Sequence, residues 1–278
     1  CGPGDRAVMG ADATPSFDIE GHRLEYPTSF RDGSSMMALF LASSARTQRL
    51  VTADSPFTVA QVTPGRTVIG LNCVHYTDTD CGRYEEVALS VFVDPMDGPL
   101  GRFRRLSTLR RIARGEVASF TWLLGVNTTL ARDCGIRMWG FPKQLAELHH
   151  SDDAGRARMA WRDGGSTVLE LAVPTAGSRR SGPMAPPVYS MLHGRPHVGH
   201  LHQRYTGVGY HRRGVQFILG DHPIADQLRE LELSHRPLIA VSNAHLEFEM
   251  SAPEPLSERP LAPTTQERSE GARRRASQ

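Results

Sequence analysis

The chain has 278 residues, of which 39% are hydrophobic, and this is enough for one sizeable core or two small ones. Its formal net charge of +2 gives the whole molecule no strong attraction for nucleic acids or membrane surfaces. No apolar run of about 18 residues occurs, so no segment is predicted to span a bilayer.

The chain divides into three predicted segments. Residues 1–16 are rich in Gly, Pro and Ala and are expected to be flexible. Residues 17–250 form the predicted globular domain. Residues 251–278 are rich in Pro, Glu, Ser and Arg and lack aromatic side chains, which predicts a disordered tail.

Short apolar runs typical of strands dominate the predicted domain, and helical periods are few. The runs cover 37–41, 67–71, 87–93 and 168–173, whereas the helical periods cover 45–51, 105–114, 128–134 and 223–232. The sequence Asp163-Gly164-Gly165 predicts a hairpin turn before the last of these runs. The pattern indicates a mainly β (α+β), barrel-like domain with a few peripheral helices.

Residues 102–114 read as a basic amphipathic helix, on which Leu106, Leu109 and Ala113 share one face. Such a helix could bind phosphate, RNA or a membrane surface. A solvated helix that covers the barrel is the favoured interpretation, and an oligomer contact or a lid are further alternatives.

Lys143 stands out because it is the only lysine among the 32 basic lysine and arginine residues. Arginine stays protonated in a protein, whereas a lysine amine can lose its proton when it is buried. Only the neutral amine can attack a carbonyl carbon, so Schiff-base chemistry requires lysine. A lone surface lysine is the alternative interpretation of the count.

The neighbours of Lys143 favour a buried site. Pro142 restricts its own backbone and that of Phe141, and Gly140 permits a turn. The apolar side chains of Trp139 and Phe141 could form the walls of a pocket that lowers the pKa of the lysine. For half of the amine to be neutral at pH 7, its pKa must fall by about three units, which corresponds to about 4 kcal/mol of differential interaction between its two protonation states.

Histidines and cysteines do not predict a metal centre. The histidines cluster at positions 193, 197, 200, 202 and 211, but intervening Gly and Pro residues prevent a helix that would align them, so metal binding is the minor alternative. The four cysteines show no CxxC spacing, so neither a disulfide framework nor a zinc site is predicted. Reduced thiols fit a cytoplasmic protein.

The segment Trp139-Gly140-Phe141-Pro142-Lys143 resembles the motif of the acetoacetate decarboxylase family, in which the lysine forms the Schiff base. Segment 127–135 looks like the helix that precedes this motif in the family, and segment 84–87 looks like the one that carries the active-site glutamate. Segments 220–231 and 240–248 resemble the family's late helix and last strand. The resemblance runs from about Tyr26 to Met250. It implies a closed or half-open antiparallel β-barrel and a homo-oligomer that needs no metal or other cofactor.

The resemblance also implies roles for individual residues. Glu86 takes the place of the active-site glutamate by its spacing from Tyr84, with Glu85 as the fallback. Substrate contacts are expected from the residues Arg137, Arg31, Trp139, Phe141 and Gln144. The helix of segment 127–135 is expected to be capped by Asn127 or Thr128 and to end at Gly135.

Three departures from the family pattern concern the substrate. Gln144 stands where the best-known decarboxylases have a second lysine, Arg137 stands where the family often has Glu, and Arg31 is close to the family's early arginine without aligning with it. The resulting hypothesis is a lyase that decarboxylates a small keto acid through an imine on Lys143. An aldolase or dehydratase acting on a larger keto acid, and a non-catalytic barrel that binds a small ligand, are the alternatives.

Overall fold

The computed structural model describes residues 15–94, 108–153 and 155–256. Most of these residues lie in strands and few in helices, which confirms the mainly β prediction. The strands are Ser16–Ile19 (β1), His22–Glu25 (β2), Thr28–Ser43 (β3), Arg66–Thr79 (β4), Tyr84–Val93 (β5), Ala118–Val126 (β6), Lys143–Leu145 (β7), Glu147–Asp153 (β8), Arg156–Asp163 (β9), Ser166–Pro174 (β10), Arg179–Arg180 (β11), Pro187–Leu192 (β12), Arg195–His211 (β13), Gln216–Leu219 (β14), Ile239–Asn243 (β15), His245–Met250 (β16) and Glu254–Pro255 (β17). The α-helices are Ser44–Asp54 (α1), Thr108–Ala113 (α2), Thr129–Cys134 (α3) and Pro223–Glu230 (α4), and a π-helix covers Gly135–Trp139.

The larger sheet closes into a ring. Strands β3, β4, β5 and β6 pair in sequence order, β6 pairs with β12, β12 pairs with β13, and β15 and β16 join β13 back to β3. The contact between β6 and β12 is parallel, unlike the rest of this circuit, so the predicted antiparallel pairing is wrong there. A long crossover that contains three strands of the second sheet, β8, β9 and β10, separates β6 from β12, and such a crossover permits parallel pairing.

The second sheet has the order β14-β10-β9-β8 and is antiparallel throughout. Its predicted hairpin is confirmed between β9 and β10, where Asp163 pairs with Ser166. Gly164 and Gly165 both have positive φ angles, 54° and 82°, as a two-residue type I′ turn requires. This sheet covers one face of the ring.

Strand alternation gives β4 and β5 two buried faces, because successive residues of a strand face opposite sides. On one face of β4 and β5, Leu71, Cys73, Val87 and Leu89 pack against the second sheet. On the other face, strands from around the ring contribute to a second cluster, which includes the buried side chains Val74, Tyr76, Tyr84, Leu124, Phe248 and Trp139. That second cluster lies inside the ring.

The four α-helices lie at the predicted positions, but the predicted apolar face of the basic helix is wrong. The exposed fraction of Leu109 is 45%, and Ala113 is also exposed, so the predicted apolar face of the basic helix is not buried. Helix α2 instead turns Thr108 and Ile112, one turn apart, towards the protein. Residues 102–107 of the predicted helix lie outside the described residues.

The chain stays ordered beyond Met250. The two residues of β17 pair with β13, and Ser251 exchanges hydrogen bonds with His200. The predicted tail therefore contains a short strand at its start, and the three segment boundaries otherwise remain predictions. Among the described helices, none has the length and apolarity needed to cross a bilayer.

Candidate active site

Lys143 lies at the start of β7, which runs parallel to β6 and pairs Lys143 with Leu124. Its side chain is only 7% exposed, and Nζ donates a hydrogen bond of 2.9 Å to Oε2 of Glu86. The same nitrogen lies 5.0 Å from the centre of the Tyr84 ring. The amine is thus buried beside one carboxylate and one aromatic face.

The alternation of β5 determines which glutamate meets the lysine. Glu86 shares the inner face of the ring with Tyr84, whereas Glu85 points to the opposite face and pairs with His75. The structure therefore places the first-choice glutamate at Lys143 and the fallback away from it.

The segment before Lys143 continues as a helix beyond its predicted end. Thr128 caps α3 by accepting a hydrogen bond from the backbone N–H of Ala131. Gly135 does not end the helix, since its φ angle of −62° is helical and the chain continues through the π-helix. Gly140 ends it instead, with a left-handed φ angle of 69°.

Gly135 serves a different purpose from the predicted one. A Cβ atom on it would lie 2.4 Å from Cδ and 2.5 Å from Cε of Lys143. The aliphatic stem of the lysine therefore passes directly over the helix backbone, and only glycine leaves room for it. Sequence reasoning missed this role because the contact becomes visible only once the helix and β7 are placed together.

Two tyrosines and two cysteines complete the surroundings. Burial, with a smaller contribution from the Glu86 charge, raises the pKa of both Tyr76 and Tyr84 well above the ordinary value. A hydrogen bond with Cys81 lowers the pKa of the Cys134 thiol, and the Lys143 charge lowers it further. Tyr84 entered the sequence prediction only as the reference for the spacing of Glu86, and no sequence signal singled out the cysteines.

The two aromatic residues of the motif, Trp139 and Phe141, pack against other parts of the protein. Trp139 is buried, donates its indole N–H to the carbonyl of Ser251 at 3.0 Å, and meets Tyr26 edge to face. Phe141 is partly buried, with its ring centre 6.4 Å from that of Trp139. Gln144 follows Lys143 in β7 and is exposed.

The structure does not gather the two arginines at the amine. Arg137 is exposed on the π-helix and donates to the carbonyl of Asp18 at 3.1 Å. Arg31 pairs with Asp78 at 2.9 Å and with Asp80 at 2.6 Å, on an exposed part of β3. The charged group found against Lys143 is instead the Glu86 carboxylate.

Two cavities lie elsewhere on the molecule. A cleft of about 620 Å³ is lined by Arg31, Phe30, Phe248 and residues of β13 and β16. A crevice of about 110 Å³ is lined by His75, His150 and Asp152, among others. Among the described residues that line these two cavities, Lys143 is absent.

The predicted histidine cluster lies on β13 and the turn before it. His197, His200, His202 and His211 occupy β13, and His193 is in the preceding turn with a φ angle of 52°. None of these histidines belongs to the one group of the described residues that is compact enough to hold a metal ion, which is His75, Glu85 and His150.

The fold is that of solved acetoacetate decarboxylase structures. The structure of acetoacetate decarboxylase from Legionella pneumophila aligns with a TM-score of 0.61 at 13% identity, covering 83% of this chain and 87% of that one. An acetoacetate decarboxylase-like enzyme from Sphingomonas wittichii RW1 aligns with a TM-score of 0.54 at 14% identity, covering 89% and 100%. The enduracididine biosynthesis enzyme MppR complexed with pyruvate aligns with a TM-score of 0.52 at 14% identity, covering 84% and 92%.

The family model described as acetoacetate decarboxylase matches residues 14–258. The chain therefore belongs to the acetoacetate decarboxylase family, as the motif around Lys143 predicted. No curated protein matches the chain significantly.

Proposed function

We propose that the protein is a lyase that forms a Schiff base between Lys143 and a small keto acid and then releases carbon dioxide. The observation that carries this proposal is the buried Nζ of Lys143 at 2.9 Å from Oε2 of Glu86. A buried amine with a carboxylate partner has both the nucleophile and the proton acceptor that imine formation needs.

The proposed first step joins the amine and the ketone. A proton passes from Nζ to Glu86, and the lone pair of the neutral amine attacks the ketone carbon. Glu86 returns the proton to the carbinolamine oxygen, which leaves as water and gives a protonated imine. At 2.9 Å, Glu86 is within direct proton-transfer distance of the amine.

The second step uses the imine as an electron sink, so it requires no further cofactor. The bond to the carboxylate carbon breaks, its electron pair forms an enamine, and carbon dioxide leaves. Protonation of the enamine carbon and hydrolysis of the imine release the ketone and restore Lys143. The Tyr84 ring, which stabilises cationic nitrogen on its face, lies 5.0 Å from Nζ.

A second candidate uses the same imine for aldol condensation or dehydration of a larger keto acid. MppR, whose structures contain pyruvate or the condensation product of pyruvate and imidazole 4-carboxaldehyde, shares the fold. Gln144, where a second lysine would stand in the best-known decarboxylases, also favours this candidate.

A panel of keto acids separates the two candidates. The purified protein is incubated with acetoacetate, pyruvate and longer keto acids, with or without an aldehyde, and both carbon dioxide and condensed products are measured. Carbon dioxide release that disappears in Lys143→Arg supports the lyase. Condensed or dehydrated products without carbon dioxide favour the second candidate, and no turnover favours a ligand-binding barrel.

We also propose that the protein acts as a cytoplasmic homo-oligomer. The exposed apolar side chains Ile136 and Leu145, which are 42% and 49% exposed, flank the active-site segment and would suit a contact between subunits. Sedimentation of the wild type and of Leu145→Glu measures the assembly directly.

A further inference from the structure

A second polar cluster lies on the outer face of the ring, away from Lys143. His75 and Glu85 face each other on the paired strands β4 and β5, and His150 joins them from β8 of the second sheet. One potential ligand atom from each residue lies within 4.8 Å of the others. The residues come from three strands, so sequence spacing gave no sign of them.

Glu85 has unused bonding capacity in this cluster. Its Oε1 is 2.7 Å from Nδ1 of His75, whereas its Oε2 is buried and has no hydrogen-bond partner among the described residues. A buried carboxylate oxygen without a partner costs free energy, and a cation is one way to satisfy it. The side chain is only 13% exposed, so bulk water does little to solvate it.

We propose that His75, Glu85 and His150 bind one divalent transition-metal ion, for which zinc is the best match. Zinc is commonly bound by two imidazoles and one carboxylate, and water then occupies its fourth coordination position. His75 and His150 also line the 110 Å³ crevice, together with Asp152, and this space can hold the ion's remaining ligand.

Binding requires a small rearrangement of the rings. The imidazoles of His75 and His150 are stacked, with centres 4.4 Å apart and planes at 9°. A metal ion lies in the plane of each imidazole that binds it, so two parallel rings cannot both bind the same ion. One ring therefore rotates about its Cβ–Cγ bond when the ion enters.

The site is separate from the proposed catalysis but linked to it through the backbone. Glu85 and Glu86 are consecutive residues of β5 that point to opposite faces, one to His75 and the other to Lys143. An ion on Glu85 would hold this part of β5 in place without contacting a substrate at Lys143. The proposal does not depend on the reaction that Lys143 performs.

Zinc chloride titration of the chelator-treated full chain tests the proposal. We expect the wild type to bind one equivalent by calorimetry and metal analysis, and both Glu85→Gln and His150→Phe to weaken binding at least tenfold. His150→Phe keeps an aromatic ring against His75, and circular dichroism without zinc checks that each variant folds. His202→Phe, at an exposed position of β13, is the control and should bind like the wild type.

Thermal unfolding and X-ray absorption supply readouts that do not depend on activity. Zinc should raise the Tm of the wild type and of His202→Phe, but not that of His150→Phe. Zinc-bound protein should show nitrogen and oxygen scatterers. Equal binding by the wild type and both cluster variants, loss of binding only in His202→Phe, or a sulfur ligand would each overturn the proposal.

Discussion

The backbone of Gly135 lies directly beneath the side chain of Lys143, so that an added methyl group would sit 2.4 Å from Cδ. The direction of the amine is therefore set by a residue that carries no functional group. This relationship places a glycine of the preceding helix among the residues on which the proposed chemistry depends.

The Gly135→Ala variant should lose activity more than stability. The new methyl group displaces the lysine stem, and a displacement of about 1 Å at a reacting group costs about 100-fold in rate. The measurement is kcat/KM on the best keto acid from the panel, together with the Tm. Gly182→Ala is the matched control, because a Cβ there meets no atom of the described residues within 4 Å. Near-wild-type activity in Gly135→Ala would show that the stem position is not critical.

The Lys143–Glu86 pair should show strong energetic coupling. Removal of the carboxylate in Glu86→Leu leaves a buried amine without its partner and should lower the free energy of unfolding by about 3–5 kcal/mol. The double variant Lys143→Met with Glu86→Leu removes both groups and should be at least as stable as the wild type. Urea unfolding of the wild type, both single variants and the double variant measures the coupling. Additive effects in that cycle contradict a direct pair.

Gly140 should be intolerant of any side chain, for two separable reasons. Its φ angle of 69° strains other residues, and a Cβ would lie 2.5 Å from the carbonyl oxygen of Met191. Gly165 has a similar φ angle of 82° but open space around it, so Gly165→Ala measures the strain alone, about 1–2 kcal/mol. Gly140→Ala should cost at least about 1 kcal/mol more, because overpacking is added. Equal losses in the two variants would remove the steric part of this argument.

His211 should make the protein less stable in mild acid. Burial lowers the pKa of its imidazole, which accepts or donates a hydrogen bond with Ser242 at 2.9 Å. The unfolded chain then binds the proton more readily than the folded one. The stabilisation is therefore complete above the unfolded pKa of about 6.5 and is lost as the pH falls towards the lower folded pKa.

The pH dependence of the Tm between pH 8 and pH 5 checks this prediction. His211→Gln, which can keep a hydrogen bond to Ser242, should lose less stability on acidification than the wild type. His22→Gln, at an exposed position on β2, should follow the wild-type curve. A His211→Gln curve that parallels the wild type throughout would contradict the assignment.

Sequence reasoning reached those features that depend on local pattern. The uniqueness of Lys143 and the two-residue turn at Gly164 and Gly165 are both visible in one dimension. The choice of Glu86 came from its spacing to Tyr84 in the family resemblance. The predicted strand run began only at Val87, whereas β5 begins at Tyr84, so the alternation that turns Glu86 and Glu85 to different sides was not predicted.

Features that depend on long-range packing were beyond the sequence. Gly135 lies in the π-helix and contacts Lys143 of β7 only because the chain folds back between these two elements. His150 approaches His75 from the second sheet. Arg31 sits on the same strand as the inward-facing Phe30, but its own side chain meets two aspartates of β4 and the turn that follows it. The position of Arg31 near the family's early arginine did not reveal that Asp78 and Asp80 bind its guanidinium group.

Borohydride trapping with peptide mapping tests the central claim that Lys143 is the Schiff-base residue. The protein is mixed with each keto acid, reduced and digested, and the modified peptide is sequenced by mass spectrometry. We predict a stable adduct on Lys143 in the wild type, a weaker one in Glu86→Gln and none in Lys143→Arg. An active wild-type protein that gives no adduct on Lys143 with the keto acid it turns over would contradict the account.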